Sequence, residues 1–183
     1  STLFPYTTLF RSLTFVGDRL FVSSISGQIN EILAHGKVRS LVPDGLNWPL
    51  GLAMGEDGAL FVADGGFTYL MRGQGELQPI GMLFTPGFPG YTRDVVAVAP
   101  GEYVVTTANG QVSRWVPARQ THEVLADGFD QLYGVAVAPG GVVVFAEKGR
   151  GRLLAVKSGH VDALASNLIQ PSGVAVCDHG CLV

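Results

Sequence analysis

Short apolar runs alternate with turn residues along almost the whole chain. The stretch 133–157 shows this most clearly: three runs rich in Val and Leu are separated by turns at 139–141 and 148–151. Runs of about five or six residues closed by Gly and Pro are typical of antiparallel strands joined by tight hairpins. The runs are nearly continuous in apolar residues, which indicates strands that are covered on both faces.

The same unit recurs at a regular spacing. The run that begins at Gly134 is matched by runs that begin at Gly173, 39 residues later, and at Val95, 39 residues earlier; a further match begins at Gly51, 44 residues upstream of Val95. A period of roughly 40 residues built from short strands predicts the blades of a β-propeller. Helical repeats need apolar residues at i, i+3, i+4 and i+7, and 25 Gly and 10 Pro leave few windows for them.

The period predicts an all-β fold of four-stranded antiparallel blades. We expect four blades, at residues 13–49, 50–91, 92–132 and 133–171, and the incomplete start of a fifth at 172–183. Residues 13–183 are therefore interpreted as a β-propeller fragment. Because propellers close with about four to eight blades and a fifth has begun, we expect an intact ring of six.

The first residues do not share the repeat pattern. Residues 2–12, TLFPYTTLFRS, resemble the in-frame translation of a common short-read sequencing adapter. We therefore interpret residues 1–12 as an artefact of sequence assembly. On this interpretation the natural polypeptide begins near Leu13, inside a blade.

Charge and composition narrow the range of partners. The net charge of −3 does not suggest a nucleic-acid partner, and we interpret the basic residues Lys148, Arg150 and Arg152 as a solvated hairpin. No apolar stretch reaches the roughly 18 residues that a membrane span needs. We expect Cys177 and Cys181 to be free thiols rather than a disulfide or a metal-binding pair.

Polar residues occupy one repeated position, the end of the second strand in each blade. Asp64 and Glu147 hold it in two blades, and Ser24 and Thr107 hold it in the other two. Together they form a candidate ring of ligand contacts. The alternative is that each side chain caps backbone N–H groups of a nearby turn. The aromatic loop 84–91 is likewise either a binding loop or a packed surface loop.

Two segments resemble a known superfamily. Residues 49–64 and 170–176 match the pattern PxGVAVxxxGxLFVAD, which is similar to the NHL-repeat and gluconolactonase-like β-propellers. The resemblance covers residues 13–183 and implies the propeller fold. It also implies a periplasmic or secreted location.

That superfamily includes lactone hydrolases that hold a divalent cation with Asn, Asp and Glu side chains. Several of these ligands stand just before the Gly that opens a blade. The corresponding positions here are Leu50, Asp94, Tyr133 and Ser172, and only Asp94 supplies a suitable oxygen. A hard cation needs several converging oxygen ligands, so no cofactor is expected in the visible blades.

Streptogramin-type lyases share the repeat and use His and Glu near the ring axis. The pattern places His35, His122 and His160 on or near outer hairpins, and His179 in a turn between first and second strands. The sequence therefore gives no support for a general-base histidine.

The favoured function is a binding or scaffold propeller that recognises a protein or small ligand through its loops. No residue is assigned a catalytic role. The ligand-binding candidates are Asp94, Asp64, Glu147, Thr107 and Ser24. The alternative is a lactone hydrolase or lyase of the gluconolactonase-like group that uses a divalent cation and has its catalytic residues outside this fragment.

Overall fold

The computed structural model describes residues 10–55 and 58–177. In these residues the regular structure is β-strand, apart from short 3₁₀ turns such as Ala34–Gly36 and Pro117–Arg119. The described strands form four antiparallel sheets of four strands each, in chain order within every sheet. This confirms the predicted all-β fold and its blade unit.

The four blades are assembled from consecutive strands. Blade 1 contains β1 Phe10–Val16, β2 Arg19–Ser24, β3 Ile29–Ile32 and β4 Val38–Val42. Blade 2 contains β5 Pro49–Met54, β6 Leu60–Asp64, β7 Phe67–Arg72 and β8 Glu76–Met82.

Blade 3 contains β9 Thr92–Ala99, β10 Glu102–Thr107, β11 Val112–Val116 and β12 Thr121–Ala126. Blade 4 contains β13 Leu132–Ala138, β14 Val142–Glu147, β15 Arg152–Lys157 and β16 His160–Ala165.

The chain divides into two compact units, Ser1–Met82 and Leu83–Val183, with two blades in each. Inside each unit the first strands of the two blades contact each other, β1 with β5 and β9 with β13. The second strands β6, β10 and β14 lie deeper, and nearly all of their residues are buried.

Each unit has its own hydrophobic core between its two sheets. Full burial of one such side chain contributes roughly 1.5–3 kcal/mol. The core of the first unit consists of Phe21, Ile29, Leu41, Val42, Leu46, Leu52, Leu60, Val62 and Met71. The core of the second unit consists of Val104, Val112, Leu132, Val135, Val143, Phe145, Leu154 and Val156.

A β-bulge in blade 3 corrects the predicted register. Tyr103 pairs with Ala97 and Glu102 pairs with Ala99, which leaves Val98 as an extra residue. The first hairpin of blade 4 has no such irregularity next to its turn. Matching the two Ala-Pro-Gly turns therefore misaligned the strands that precede them by one residue.

The register places Asp94 opposite Thr106, the penultimate residue of β10. In blade 2 the residue opposite the penultimate position Ala63 is Gly51. Asp94 is thus equivalent to the blade-opening Gly51 and not, as predicted, to Leu50 before it.

The first strand begins within the segment 1–12, whose interpretation as an assembly artefact stays a prediction. β1 begins at Phe10, which pairs with Ser24, and Ser12 pairs with Ser23. These residues extend the strand because β2 offers them unpaired backbone groups. Three residues of the segment 1–12 therefore belong to blade 1, and residues 1–9 lie outside the described residues.

Cys177 takes part in a disulfide, so the expectation of a free thiol at this position is wrong. Residue spacing alone does not show whether the backbone brings two cysteines to the Cα separation of about 4.4–6.8 Å that a disulfide needs. Cys181 lies outside the described residues, as does His179.

A buried carboxylate holds two arginines on blade 1. Glu31 on β3 is 3% exposed. Its Oε1 accepts a hydrogen bond from the Nε of Arg19 at 2.7 Å, and its Oε2 accepts one from Arg39. The bond from Arg19 is the largest influence, and with the bond from Arg39 it outweighs desolvation and lowers the pKa of Glu31. The ion pair joins strands β2, β3 and β4.

We expect Glu31→Gln to lower the free energy of unfolding at pH 7 by about 1.5–3 kcal/mol, the usual range for hydrogen bonds to charged groups. Because the folded pKa of Glu31 is depressed, its contribution is present above the unfolded pKa and is lost as pH falls through the folded value. The difference between variant and wild type should therefore shrink on acidification. Urea denaturation at several pH values measures it.

The exposed Asp44→Asn, in the same unit, is the matched control and should change stability by less than about 0.5 kcal/mol. Equal effects of the two substitutions would contradict the assignment.

Candidate functional site

The polar positions predicted from the sequence lie at one end of the blades, where each first strand begins and each second strand ends. We call this the opening end. Its four second-strand termini, Ser24, Asp64, Thr107 and Glu147, are at most 1% exposed. Buried polar side chains need hydrogen-bond partners, and those partners show what each group does.

The two carboxylates fasten the loops that enter their own blades. Asp64 accepts hydrogen bonds from the backbone N–H groups of Asn47, at 3.0 Å, and Trp48. Glu147 accepts one from the N–H of Asp130, at 2.8 Å. These charge-assisted bonds satisfy carboxylates that would be costly to bury alone.

Glu147 also binds two arginines of the following hairpin. Arg152 donates to it from Nε at 2.5 Å, and the Nε of Arg150 lies 3.8 Å away. The basic hairpin is therefore partly neutralised by a buried carboxylate, while Arg150 remains 57% exposed and Lys148 is half-buried.

The two hydroxyl groups serve the turns beside them. Ser24 Oγ lies 2.7 Å from the Oγ of Ser26 in the turn after β2. Thr107 Oγ1 accepts from the N–H of Gln111, at 3.2 Å, in the turn after β10. Asp64, Glu147 and Thr107 thus cap backbone N–H groups, which was the alternative to ligand binding, and Ser24 binds a side-chain hydroxyl of its turn.

Asp94 differs from these four because it connects two blades. Its Oδ2 accepts a hydrogen bond from the N–H of Val135 on β13 at 2.9 Å. Its strand partner Thr106 donates its hydroxyl to the carbonyl of Tyr133 on the same strand. We call this pair of bonds, one accepted and one donated, the inter-blade clasp.

Blade 1 carries the same clasp with different residues. Ser12 Oγ accepts from the N–H of Leu52 at 3.1 Å, and Ser23 donates to the carbonyl of Pro49 at 2.7 Å. The register makes Ser12 equivalent to Asp94 and Ser23 equivalent to Thr106. The geometry therefore assigns Asp94 a structural role that a serine performs in the other unit.

A carboxylic acid is nevertheless an unusual choice for this place. Asp94 is only half-buried by surface area, but the surrounding protein atoms desolvate its carboxylate. Desolvation raises the pKa of Asp94 to about 7, although the N–H groups of Val135 and Val95 oppose the shift. Near neutral pH this side chain exists in both protonation states.

An aromatic ring flanked by two cations lies next to the clasp. The Cζ of Arg93 is 5.4 Å from the centre of the Tyr133 ring, and the Nζ of Lys148 is 5.2 Å from it. Both distances are within the range of cation–π attraction. We call these three half-buried residues the Tyr133 cluster. Sequence analysis missed it, because the three side chains come from separate strands and turns.

The loop 83–91 combines an anchored half with an exposed half. Phe88 packs edge-on against Trp115 with ring centres 5.2 Å apart, and the carbonyl of Gly87 lies 3.2 Å from Nδ1 of His122. Phe84 is fully exposed and has a positive φ of 70°, which is strained for an aromatic residue. The contacts of Gly87 and Phe88 fit the packed surface loop, and ligand binding by the exposed part stays a prediction.

The described histidines lie where the repeat predicted. His35 is in the turn between β3 and β4, His160 begins β16, and His122 is near the start of β12. All three are at outer strands and exposed.

The residues present do not fit a divalent cation. Within residues 10–55 and 58–177 no three His, Cys, Asp or Glu side chains are grouped closely enough to hold one. Asp94 already accepts a backbone hydrogen bond, and its neighbour Thr106 is engaged with Tyr133. In the same described residues no helix has the length and apolar character required to cross a bilayer.

The fold is similar to several solved propellers. A chain in the nidogen–laminin complex matches with a TM-score of 0.80 and 16% identity, over 93% of this chain and 70% of that one. A gluconolactonase from Xanthomonas campestris matches with a TM-score of 0.78 and 17% identity, over 99% and 71%. A streptogramin B lyase matches with a TM-score of 0.73 and 12% identity, over 94% and 60%.

No protein-family model and no curated protein matches the sequence. The structural matches show that the fold is similar to that of solved β-propellers, including a gluconolactonase. At these identities they show the fold alone, and the same fold serves both binding proteins and enzymes.

We expect Asp94→Ala to lower the free energy of unfolding by about 1–3 kcal/mol, because the N–H of Val135 loses its acceptor. Asp94→Ser should retain most of the stability, since serine makes the same bond at position 12. Denaturation of both variants measures the difference. Equal loss in both would show that the clasp does not stabilise the unit.

The same residue predicts a pH dependence. The pKa of Asp94 is raised from 3.8 to about 7, so the folded state binds more protons than the unfolded state between these values. The contribution of Asp94 to stability should fall as pH rises through this window. Asp94→Asn, which does not titrate, should remove this part of the slope.

Proposed function

We propose that this protein is a recognition module that binds a protein or small ligand through the loops at the opening end of its blades, without a catalytic step. The observation that carries the proposal is the use of the polar groups at this end. Asp64 and Glu147 are bound to backbone N–H groups, and Ser24 and Thr107 to their turns. Little hydrogen-bonding capacity remains for chemistry on a substrate.

The surface left for a ligand is aromatic and cationic. In the second unit it includes the Tyr133 cluster and the exposed Phe84. Aromatic and arginine side chains are enriched at the centres of binding interfaces. A fully exposed Phe on a loop that is anchored at Phe88 has the character of such a contact.

A ligand screen by thermal shift tests this proposal. Sugar acids, lactones, nucleotides and short peptides are added separately to the wild type, and recovered ligands are analysed by mass spectrometry. We expect at least one class to raise Tm and to be recovered unchanged. The rise should be lost in Tyr133→Ala or Phe84→Ala and kept in Leu164→Ala, an exposed residue on the outer strand β16.

Chemical conversion of the ligand, insensitivity to both loop substitutions, or the absence of any stabilising class would each contradict the proposal.

A lactone hydrolase or lyase is the second candidate function. Asp94 favours it, because a carboxyl group with a pKa of about 7 suits general acid–base catalysis at neutral pH. The lack of converging oxygen ligands around it in the described residues weighs against the metal-dependent form.

Calorimetry separates the two candidates. Titration of the wild type and of Asp94→Ala with Ca²⁺ and Zn²⁺ should show no specific site at micromolar metal, because one carboxylate alone is a weak ligand. Lactone hydrolysis should be absent with either ion. A one-to-one micromolar isotherm that Asp94→Ala abolishes would put the hydrolase first.

A further inference from the structure

The strongest unassigned feature of the described residues is the pair of cations at the Tyr133 cluster. We propose that this cluster binds the oxyanion of a small ligand, a carboxylate or a phosphate. The inference rests on the proposed recognition function and names the ligand chemistry for one part of the surface.

The two cations have no carboxylate partner. Within the described residues neither Arg93 nor Lys148 lies within 4.0 Å of an acidic oxygen, whereas Arg150 and Arg152 on the adjacent hairpin are paired with Glu147. The carboxylate of Asp130 lies against Gly149 but beyond ion-pair distance of both cations. Their positive charge is therefore available to an incoming anion.

The contact of both cations with the Tyr133 ring is too weak to compete with an anion. A phenol ring attracts a cation by roughly 0.5–1 kcal/mol at exposed sites, less than a charge-assisted hydrogen bond contributes. Arg93 and Lys148 come from different blades and still approach the same ring. An anion that reached either cation would gain charge-assisted hydrogen bonds, which are stronger than the cation–π contact.

The backbone around the cluster is fixed before any ligand binds. Lys148 donates its N–H to the carbonyl of Gln131 at 3.0 Å, and Gly149 donates to that of Asp130 at 3.1 Å. Gly149 lies so close to the Asp130 carboxylate that an added Cβ would be 2.1 Å from its Oδ2. Tyr133 is held through its carbonyl by Thr106. Such preorganisation lowers the entropy cost of binding.

Among the described residues, the acidic neighbour of Arg93 along the chain is engaged elsewhere. Asp94 follows Arg93 directly, and its carboxylate is directed to the N–H of Val135. The half-buried ring of Tyr133 offers a flat surface for the apolar part of a ligand.

Isothermal titration with three probes tests the proposal. Benzoate and phenyl phosphate carry the two candidate oxyanions on the same ring, and benzamide is the neutral analogue. We expect saturable binding of at least one anion and at least tenfold weaker binding of benzamide. The anion that binds more tightly shows whether the site prefers a carboxylate or a phosphate. Affinity should fall as the salt concentration rises, because the site is partly exposed.

Variants locate the binding. We expect Arg93→Gln and Lys148→Gln each to raise the Kd about tenfold, equivalent to about 1.4 kcal/mol. Lys157→Gln removes an exposed lysine from the hairpin at the other end of blade 4 and should leave the Kd unchanged. The Tm of each variant without ligand shows whether it is folded. If a variant does not fold, the salt dependence of anion binding to the wild type still tests the proposal.

Equal affinity for benzamide, unchanged Kd in both site variants, an equal loss in Lys157→Gln, or no binding of either anion would each overturn the proposal. Ligands from the thermal-shift screen that bind Arg93→Gln and Lys148→Gln normally would leave the recognition function standing and remove only the oxyanion assignment. If the screen found no stabilising ligand but the cluster bound an anion, the oxyanion assignment would stand and the recognition function would be contradicted.

Discussion

The close approach of neighbouring first strands is the constraint on which the rest of this structure depends. In each unit the two first strands contact each other, and Gly134 on β13 is also so close to the segment 172–174 that an added Cβ would lie 2.7–2.9 Å from its backbone. The same proximity allows Asp94 and Ser12 to reach backbone N–H groups of the next blade. It also brings the inner faces of two sheets together, so that each unit encloses one core.

Much of the fold was predictable because its signals are local. Val-rich runs and Gly-Pro turns define each hairpin, and their repetition defines the blades. The register in blade 3 was not predictable, because the bulge at Val98 inserts a residue between a conspicuous turn and the strand before it. Such a bulge has no composition of its own, so matching the turns carried the error to Asp94.

The candidate site was predicted only in part, for a different reason. The repeat correctly located four polar positions at the ends of second strands, but it could not show that Asp64 and Glu147 are directed at the loops of their own blades. The Tyr133 cluster depends on a contact between residues 40 and 15 positions from the ring, and no periodic pattern marks such a contact. Glu31 and its two arginines were missed in the same way, since each looks like an ordinary exposed charge in the sequence.

The inter-blade clasp places unequal demands on its two sides. One blade must supply a side-chain acceptor and a hydroxyl donor, as Asp94 and Thr106 do, whereas the blade that follows offers only main-chain N–H and C=O groups. Every residue other than proline carries both groups, so the clasp itself fixes no side chain of the following blade, although packing fixes Gly134. A blade that receives the clasp can therefore diverge at the residues that bind it and still form both bonds.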